Sequence, residues 1–239
     1  MRTKNKWFKV KKLKCIILAA GKGSRLLTLT KNNPKPMVNV VEKPILDHVI
    51  NYWKQYTDDF VFVVNYKKEK IIDYVKNIKD IRSEFVVQKE LRGIAHALLT
   101  AQTLVGDKFI VVLGDCICKG DFYFPKNMNQ GIGVLETENK HDIRNSYSVK
   151  LVNNFVSKVK EKPKRIDNKL CGQGFYFFDK IIFDYIRKTP PSKLRGEIEL
   201  TDVIQNMIVR KEKISPVLFK GDYININTES ELNRAKNII

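Results

Sequence analysis

Apolar residues in this chain come in short blocks separated by polar punctuation. Cys15-Ile16-Ile17-Leu18-Ala19-Ala20 stops at Gly21, F-V-F-V-V at 60–64 stops at Asn65, and F-I-V-V-L at 109–113 stops at Gly114-Asp115. Blocks this short and unbroken predict strands buried on both faces. E-F-V-V-Q at 84–88 predicts a further strand. Between these blocks the spacing changes. Segments 44–56, 67–78 and 93–104 repeat their apolar positions at helical intervals; Pro44 opens the first and Gly93 the last. Through residue 115 the order is β-α-β-α-β-α-β, which predicts a parallel sheet with helices on both faces.

The second half is richer in strands. Segments 131–136, 147–151, 156–159, 174–178, 214–219 and 223–226 read as strands, and 181–187 and 200–210 as helices. Thr228 starts a closing helix, with Ser230 a competing cap. No linker or repeat interrupts the chain. The expectation is a basic extension over 1–12, where Trp7 and Phe8 could dock on the domain, followed by one domain over 13–239.

Charge changes this picture at one end only. The formal net charge is +18; residues 1–14 hold seven cations and no acid, so +11 remains on the rest. Such a field favours anionic partners, but the other lysines are scattered and no nucleic-acid-binding motif is present, so no specific nucleic-acid partner is expected. No apolar run approaches a membrane span, and the N-terminus lacks the apolar core of a signal peptide, so the reading is a soluble, cytoplasmic protein. Cys15, Cys116, Cys118 and Cys171 read as free thiols; the C-x-C pair is too close for the usual zinc spacing. A homo-oligomer is compatible with the sequence.

Candidate chemistry gathers at strand ends. Gly21-Lys22-Gly23-Ser24-Arg25 follows the first strand, Gln88 the third and Asp115 the fourth. Ligands of parallel α/β sheets bind at that edge. Glycines let backbone N–H groups approach phosphates, Arg25 offers a planar fork for phosphate oxygens, and Lys35 is presented between Pro34 and Pro36. Neither the Walker pattern nor G-x-G-x-x-G is present.

L-A-A-G-K-G-S-R-L followed by N-P-K-P-M closely resembles the signature of the sugar-phosphate nucleotidyltransferases. The resemblance runs over about 13–235. It is carried further by K-P-I-L at 43–46, Gln88 with G-I-A-H-A at 93–97, L-G-D at 113–115, E-K-P at 161–163, G-F-Y-F-F at 174–178 and G-E-I-E-L-T-D at 196–202. It implies a three-layer, Rossmann-like α/β fold with a mixed, mostly parallel central sheet. It implies transfer of a nucleotidyl group from a nucleoside triphosphate to a sugar 1-phosphate, with Mg²⁺ as cofactor and pyrophosphate released.

The resemblance also implies residue roles. Leu18, Ala20, Gly21, Gly23 and Ser24 would line the nucleotide loop, and Gln88 and Gly93 would read the base. Arg25 would hold the β- and γ-phosphates, Lys35 would lie near the α-phosphate, and Lys162 would grip the sugar phosphate. Glu161, Gly133 and Gly174 would line the sugar pocket, and Asp115 would bind metal. His96 would sit near the nucleotide, while Glu199 and Asp202 would brace loops or cap a helix. The family's aromatic-x-D-x-G-T stretch is Tyr223-Ile224-Asn225-Ile226-Asn227-Thr228 here, so Asn225 takes the second metal ligand's place and Asn227 the glycine's. An amide oxygen brings no charge, and a raised metal requirement is expected. Gln88 and Gly93 match the thymidylyl and uridylyl branches, favouring UTP or dTTP with glucose 1-phosphate. The alternatives are another base or phospho-substrate (GTP with mannose 1-phosphate, CTP with phosphocholine) and a non-catalytic nucleotide-binding relative. The chain's end near Ile239, without a left-handed β-helix, is expected to weigh against a bifunctional N-acetylglucosamine-1-phosphate uridylyltransferase, though not against a single-domain relative.

Overall fold

The computed structural model describes residues 13–21, 23, 26–192 and 196–239. The expectations for the 1–12 extension, Lys22, Ser24 and Arg25 lie outside these residues. In chain order the elements are β1 (Lys14–Leu18), α1 (Leu27–Thr30), β2 (Asn39–Val40), β3 (Lys43–Pro44), α2 (Ile45–Trp53), β4 (Asp59–Val64) and α3 (Lys68–Lys76). Then come β5 (Arg82–Val87), α4 (Ile94–Thr100), β6 (Lys108–Leu113), β7 (Cys116–Tyr123), β8 (Gln130–Glu136) and α5 (Lys140–Asn145). The chain closes with β9 (Tyr147–Val152), β10 (Phe155–Glu161), β11 (Leu170–Asp179), α6 (Ile181–Lys188), α7 (Leu200–Val209), β12 (Ile214–Asn225) and α8 (Glu229–Ala235).

Ten strands form one sheet whose main path is β5-β4-β1-β6-β11-β8-β12-β7, with β9 on β11 and β10 on β9. Following the pairings, all strands of the main path but β11 and β7 run the same way. The sheet is therefore mixed and mostly parallel. Period-two alternation sorts its side chains into two cores. Cys15, Ile17, Phe60, Phe62, Ile110 and Val112 face one side under α2, α3 and α8. Ile16, Val61, Val63, Phe109 and Val111 face the other under α4, α6 and α7. Three layers follow directly from apolar blocks that need cover on both faces. Trp53 anchors the first core, with its ring 5.3 Å from Phe122 and 6.0 Å from Phe175; such pairs add about 0.5–1.5 kcal/mol each beyond buried area. Among the described residues, no helix is long and apolar enough to cross a membrane.

The structure departs from the sequence reading in places. The polar segment 116–123 is a strand, β7, whose partner β12 is one continuous strand and not two. The expected break at Lys220-Gly221 is instead a close backbone crossing, where Gly221 lies opposite Gly120. A Cβ on Gly120 would stand 2.1 Å from the Lys220 carbonyl oxygen. Pro44 caps α2 from outside, so the helix begins at Ile45. Thr228, and not Ser230, caps α8: its hydroxyl accepts from Glu231 N–H at 3.3 Å while Glu231 accepts from Thr228 N–H at 2.9 Å.

Gly120→Ala should therefore lower stability by roughly 2–3 kcal/mol, because backbone cannot yield where a side-chain tip could. A reduced urea midpoint with an unchanged slope checks this.

Candidate active site

Parallel pairing lines up strand ends. Leu18 lies opposite Val63 on one side and Leu113 on the other, so the segments after β1, β5 and β6 emerge on one edge. β11 runs the opposite way, and Phe175 lies opposite Val112; its first residues therefore reach the same edge. So do the end of β12 and the start of β7, where Asn225 lies opposite Cys116. The end of β10 joins them through Glu161 opposite Tyr147.

Of the cavities that open there, two share Asp115. The larger, about 350 Å³, is lined by Leu18, Ala20, Gly21, Gly23, Gln88 and Gly93, and also by Lys35 and Asp115. The smaller, about 160 Å³, is lined by Glu161, Lys162, Gly174, Asn225, Tyr147 and Asp115. Asp115 belongs to both, as do Ile94 and Leu113.

Each wall has a local cause. Gly23 adopts φ 70°, and a Cβ there would lie 2.7 Å from that of Lys35. The glycine thus lets the Pro34-Lys35-Pro36 segment pack against the loop after β1. Gly93 adopts φ 98°, and a Cβ would meet the Ile198 carbonyl at 2.7 Å. This close approach ties the start of α4 to the G-E-I-E segment: Ile198 N–H donates to Arg92 O at 2.9 Å and Ala95 N–H to Ile198 O at 3.2 Å. Gln88 is buried, and its amide nitrogen donates to Gly93 O at 3.3 Å and stands 3.2 Å from His96 Nδ1. Lys162 adopts φ 39° at the end of β10, with its N–H donating to Ser146 O at 2.9 Å. A left-handed lysine costs about 1 kcal/mol or more and marks a position held by its surroundings.

The junction between the cavities is a hydrogen-bonded network. Lys35 Nζ donates to Asp115 Oδ2 at 2.5 Å and to Asn227 Oδ1 at 3.0 Å, and Asn227 Nδ2 donates to Asn225 Oδ1 at 2.8 Å. The buried Cys116 thiol donates to Asp115 Oδ1 at 3.5 Å. Tyr223 completes the floor: it accepts from Gly174 N–H at 2.7 Å and donates to Cys116 Sγ at 2.8 Å. Burial pushes the Tyr147, Tyr176 and Tyr223 hydroxyls and the Cys116 thiol up, so this floor stays protonated at neutral pH and adds no anion to the site. One carboxylate beside amide oxygens, with room for further oxygens, suits a hard cation that keeps water and phosphate ligands. A cation, the Lys35 ammonium, already rests on that carboxylate. Among the described residues, no three His, Cys, Asp or Glu side chains gather into a closed metal cage.

A family model described as nucleotidyl transferase matches residues 14–224. The chain belongs to this family. One relative of the chain is a bifunctional protein GlmU from Methanocaldococcus jannaschii, 40% identical over 86% of the chain but only 49% of the relative. The chain spans about half the length of the GlmU relatives it matches. A UTP–glucose-1-phosphate uridylyltransferase, AglF from Haloferax volcanii, is 32% identical over 94% of the chain and 95% of its own length. An inositol-1-phosphate CTP transferase from T. maritima shares the fold with a TM-score of 0.82 at 19% identity, covering 94% of each chain.

Most residues singled out from the sequence meet at these cavities. Gly133 does not: it is enclosed within β8, where a Cβ would lie 1.9 Å from the Phe175 ring. Its lack of a side chain makes room for the Phe175 ring. Glu199, expected to brace a loop or cap a helix, occupies the N-cap position of α7 and also lines the smaller pocket. Asn227 and Tyr223 were quoted only as parts of the C-terminal motif, and no spacing signal tied them to Lys35 or Gly174.

All four cysteines are buried and unpaired. Burial raises every thiol, that of Cys171 to about 12, which cuts the reactive thiolate fraction near pH 8. A disulfide reagent should therefore label no cysteine quickly in the folded protein at pH 8 and all four in denaturant. Absorbance of the released thiolate measures both.

Proposed function

We propose that the protein transfers a nucleotidyl group from UTP or dTTP to a sugar 1-phosphate, glucose 1-phosphate first, and releases pyrophosphate. The observation that carries the reading is the meeting of two cavities at Asp115. The larger has the glycine loop, Gln88 and Gly93 for a nucleotide; the smaller has Lys162 and Glu161 for a phosphorylated sugar.

The chemistry needs little beyond positioning. A phosphate oxygen of the sugar 1-phosphate attacks the α-phosphorus, the bond to the bridging α–β oxygen breaks, and pyrophosphate leaves with its electron pair. The nucleophile is already an anion, so no general base is required. Lys162 and Lys35 offset the charge of two polyanions brought together, and Arg25 does so for the β- and γ-phosphates. Glu161 accepts hydrogen bonds from sugar hydroxyls. Asp115 and Asn225 would hold Mg²⁺, which when bound supplies a divalent charge at the phosphate oxygens.

Base choice rests on the direction of one amide. The Gly93 carbonyl only accepts, so Gln88 must turn its NH₂ towards it and its oxygen the other way. Turned to the cleft, that oxygen would accept from the ring N–H of uracil or thymine, whereas cytosine presents an acceptor at that position. The uridylyltransferase named among the relatives supports UTP with glucose 1-phosphate, while the likeness to a CTP transferase shows that the fold alone does not select the base.

Pyrophosphate release should be screened with UTP, dTTP, CTP, GTP and ATP against several hexose and N-acetylhexosamine 1-phosphates. UTP or dTTP with glucose 1-phosphate should give the highest kcat/KM, with CTP at least about tenfold lower. No release from any pair would favour a non-catalytic binding role. In a second measurement, Arg25→Ala should raise the KM for nucleotide and Lys162→Ala that for sugar 1-phosphate, each by about tenfold or more. If both variants raised the same KM and spared the other, the division of labour would be wrong.

A further inference from the structure

Lys35 joins the two halves of the candidate metal site. Its side chain is 8% exposed and that of Asp115 24%, so water screens their pairing weakly. An ammonium has three donors and no acceptor. Asn227 must therefore turn its oxygen to Lys35, which leaves its nitrogen to donate to Asn225 Oδ1. Asn227 is itself pinned, because its backbone N–H donates to Glu231 Oε2 at 2.7 Å. The bonds run in one direction from the ammonium. Together they engage an oxygen on each residue assigned to magnesium, Asp115 and Asn225.

We propose that Lys35 is the resident cation of this site in the free protein, stored there by Asn227, and that it and the divalent ion exclude each other at Asp115. The proposal rests on the assignment of the ion to Asp115 and Asn225. Magnesium binds carboxylate oxygen at about 2.1 Å, and the ammonium already sits 2.5 Å from Asp115 Oδ2. Two cations this close, in a partly buried site, repel strongly. The second Asp115 oxygen accepts only a weak bond from the Cys116 thiol at 3.5 Å, but an ion there would still stand beside the ammonium on the same carboxylate. When the ion enters, Lys35 must leave Asp115, and the cleft it lines with Gly21 and Gly23 is where triphosphate oxygens would lie. Lys35, once off Asp115, would then be free to pair with phosphate oxygens in that cleft. If the pair is closed about nine-tenths of the time, the free protein's affinity for the ion falls about tenfold.

The test is Mn²⁺ binding to the full chain without nucleotide, read from the free-ion signal in electron paramagnetic resonance. Lys35→Met should bind Mn²⁺ about tenfold more tightly than wild type, with Lys35→Gln as the better-tolerated replacement should the first not fold. Asn227→Ala should give a smaller gain, and Asp115→Asn in the Lys35 variants should abolish it. Unchanged or weaker binding in the folded Lys35 variants overturns the exclusion. An unchanged Asn227→Ala affinity overturns the storage role. Mn²⁺ affinity that survives Asp115→Asn overturns the metal assignment, and the proposal with it; affinity that needs Asp115 but ignores Lys35 overturns the exclusion alone.

Discussion

The constraint on which the structure depends is the parallel pairing of β1 between β4 and β6. Because Leu18 is level with both Val63 and Leu113, three strands end at one height, and whatever follows them must share one edge. The pairing is stable because all three strands are apolar on both faces and each face is roofed by helices. A slip of one residue would turn Phe60 and Phe62 from one core into the other.

The second half of the sheet brings the other wall. β11 enters antiparallel, so its first residues, and not its last, reach the shared edge; Gly174 arrives there from 60 residues beyond Gly114. β12 and β7 bring Asn225 and Cys116 side by side. The result is two cavities of different character with one carboxylate between them. The larger has an apolar floor of Leu18, Leu113 and Ala97, suited to a planar base. The smaller has buried, protonated tyrosines and the polar ends of β10 and α7, suited to hydroxyls. Two unlike compartments with a cation at their junction suit the proposed joining of two polyanions.

Asp115 carries the electrostatics of the junction. Its partners come from β7, from the segment before β2 and, through Asn227, from the stretch before α8. The Lys35–Asn227 bond spans 192 positions of sequence. Substitutions near the C-terminus thereby reach the chemistry proposed for the N-terminal loop.

How much of this was legible beforehand differs by level. Apolar blocks and their period located β1, β4, β5 and β6, and alternation with helices implied the shared edge; the reason is local, since burial on both faces demands unbroken apolar strands. Ordered motifs pointed to the family and to most residues lining the cavities. β7 was invisible because Lys119-Gly120-Asp121 has no apolar period, and it exists only because β12 offers a partner. A glycine for packing and a glycine for a ligand look alike in sequence; that Gly133 sits against the Phe175 ring is visible only in the structure. By itself, the sequence determined which segments are buried and where polar side chains leave the sheet. Only the tertiary structure decided that Lys35 rests on Asp115 and Asn227, because hydrogen bonds between residues this far apart depend on how the strands are brought together.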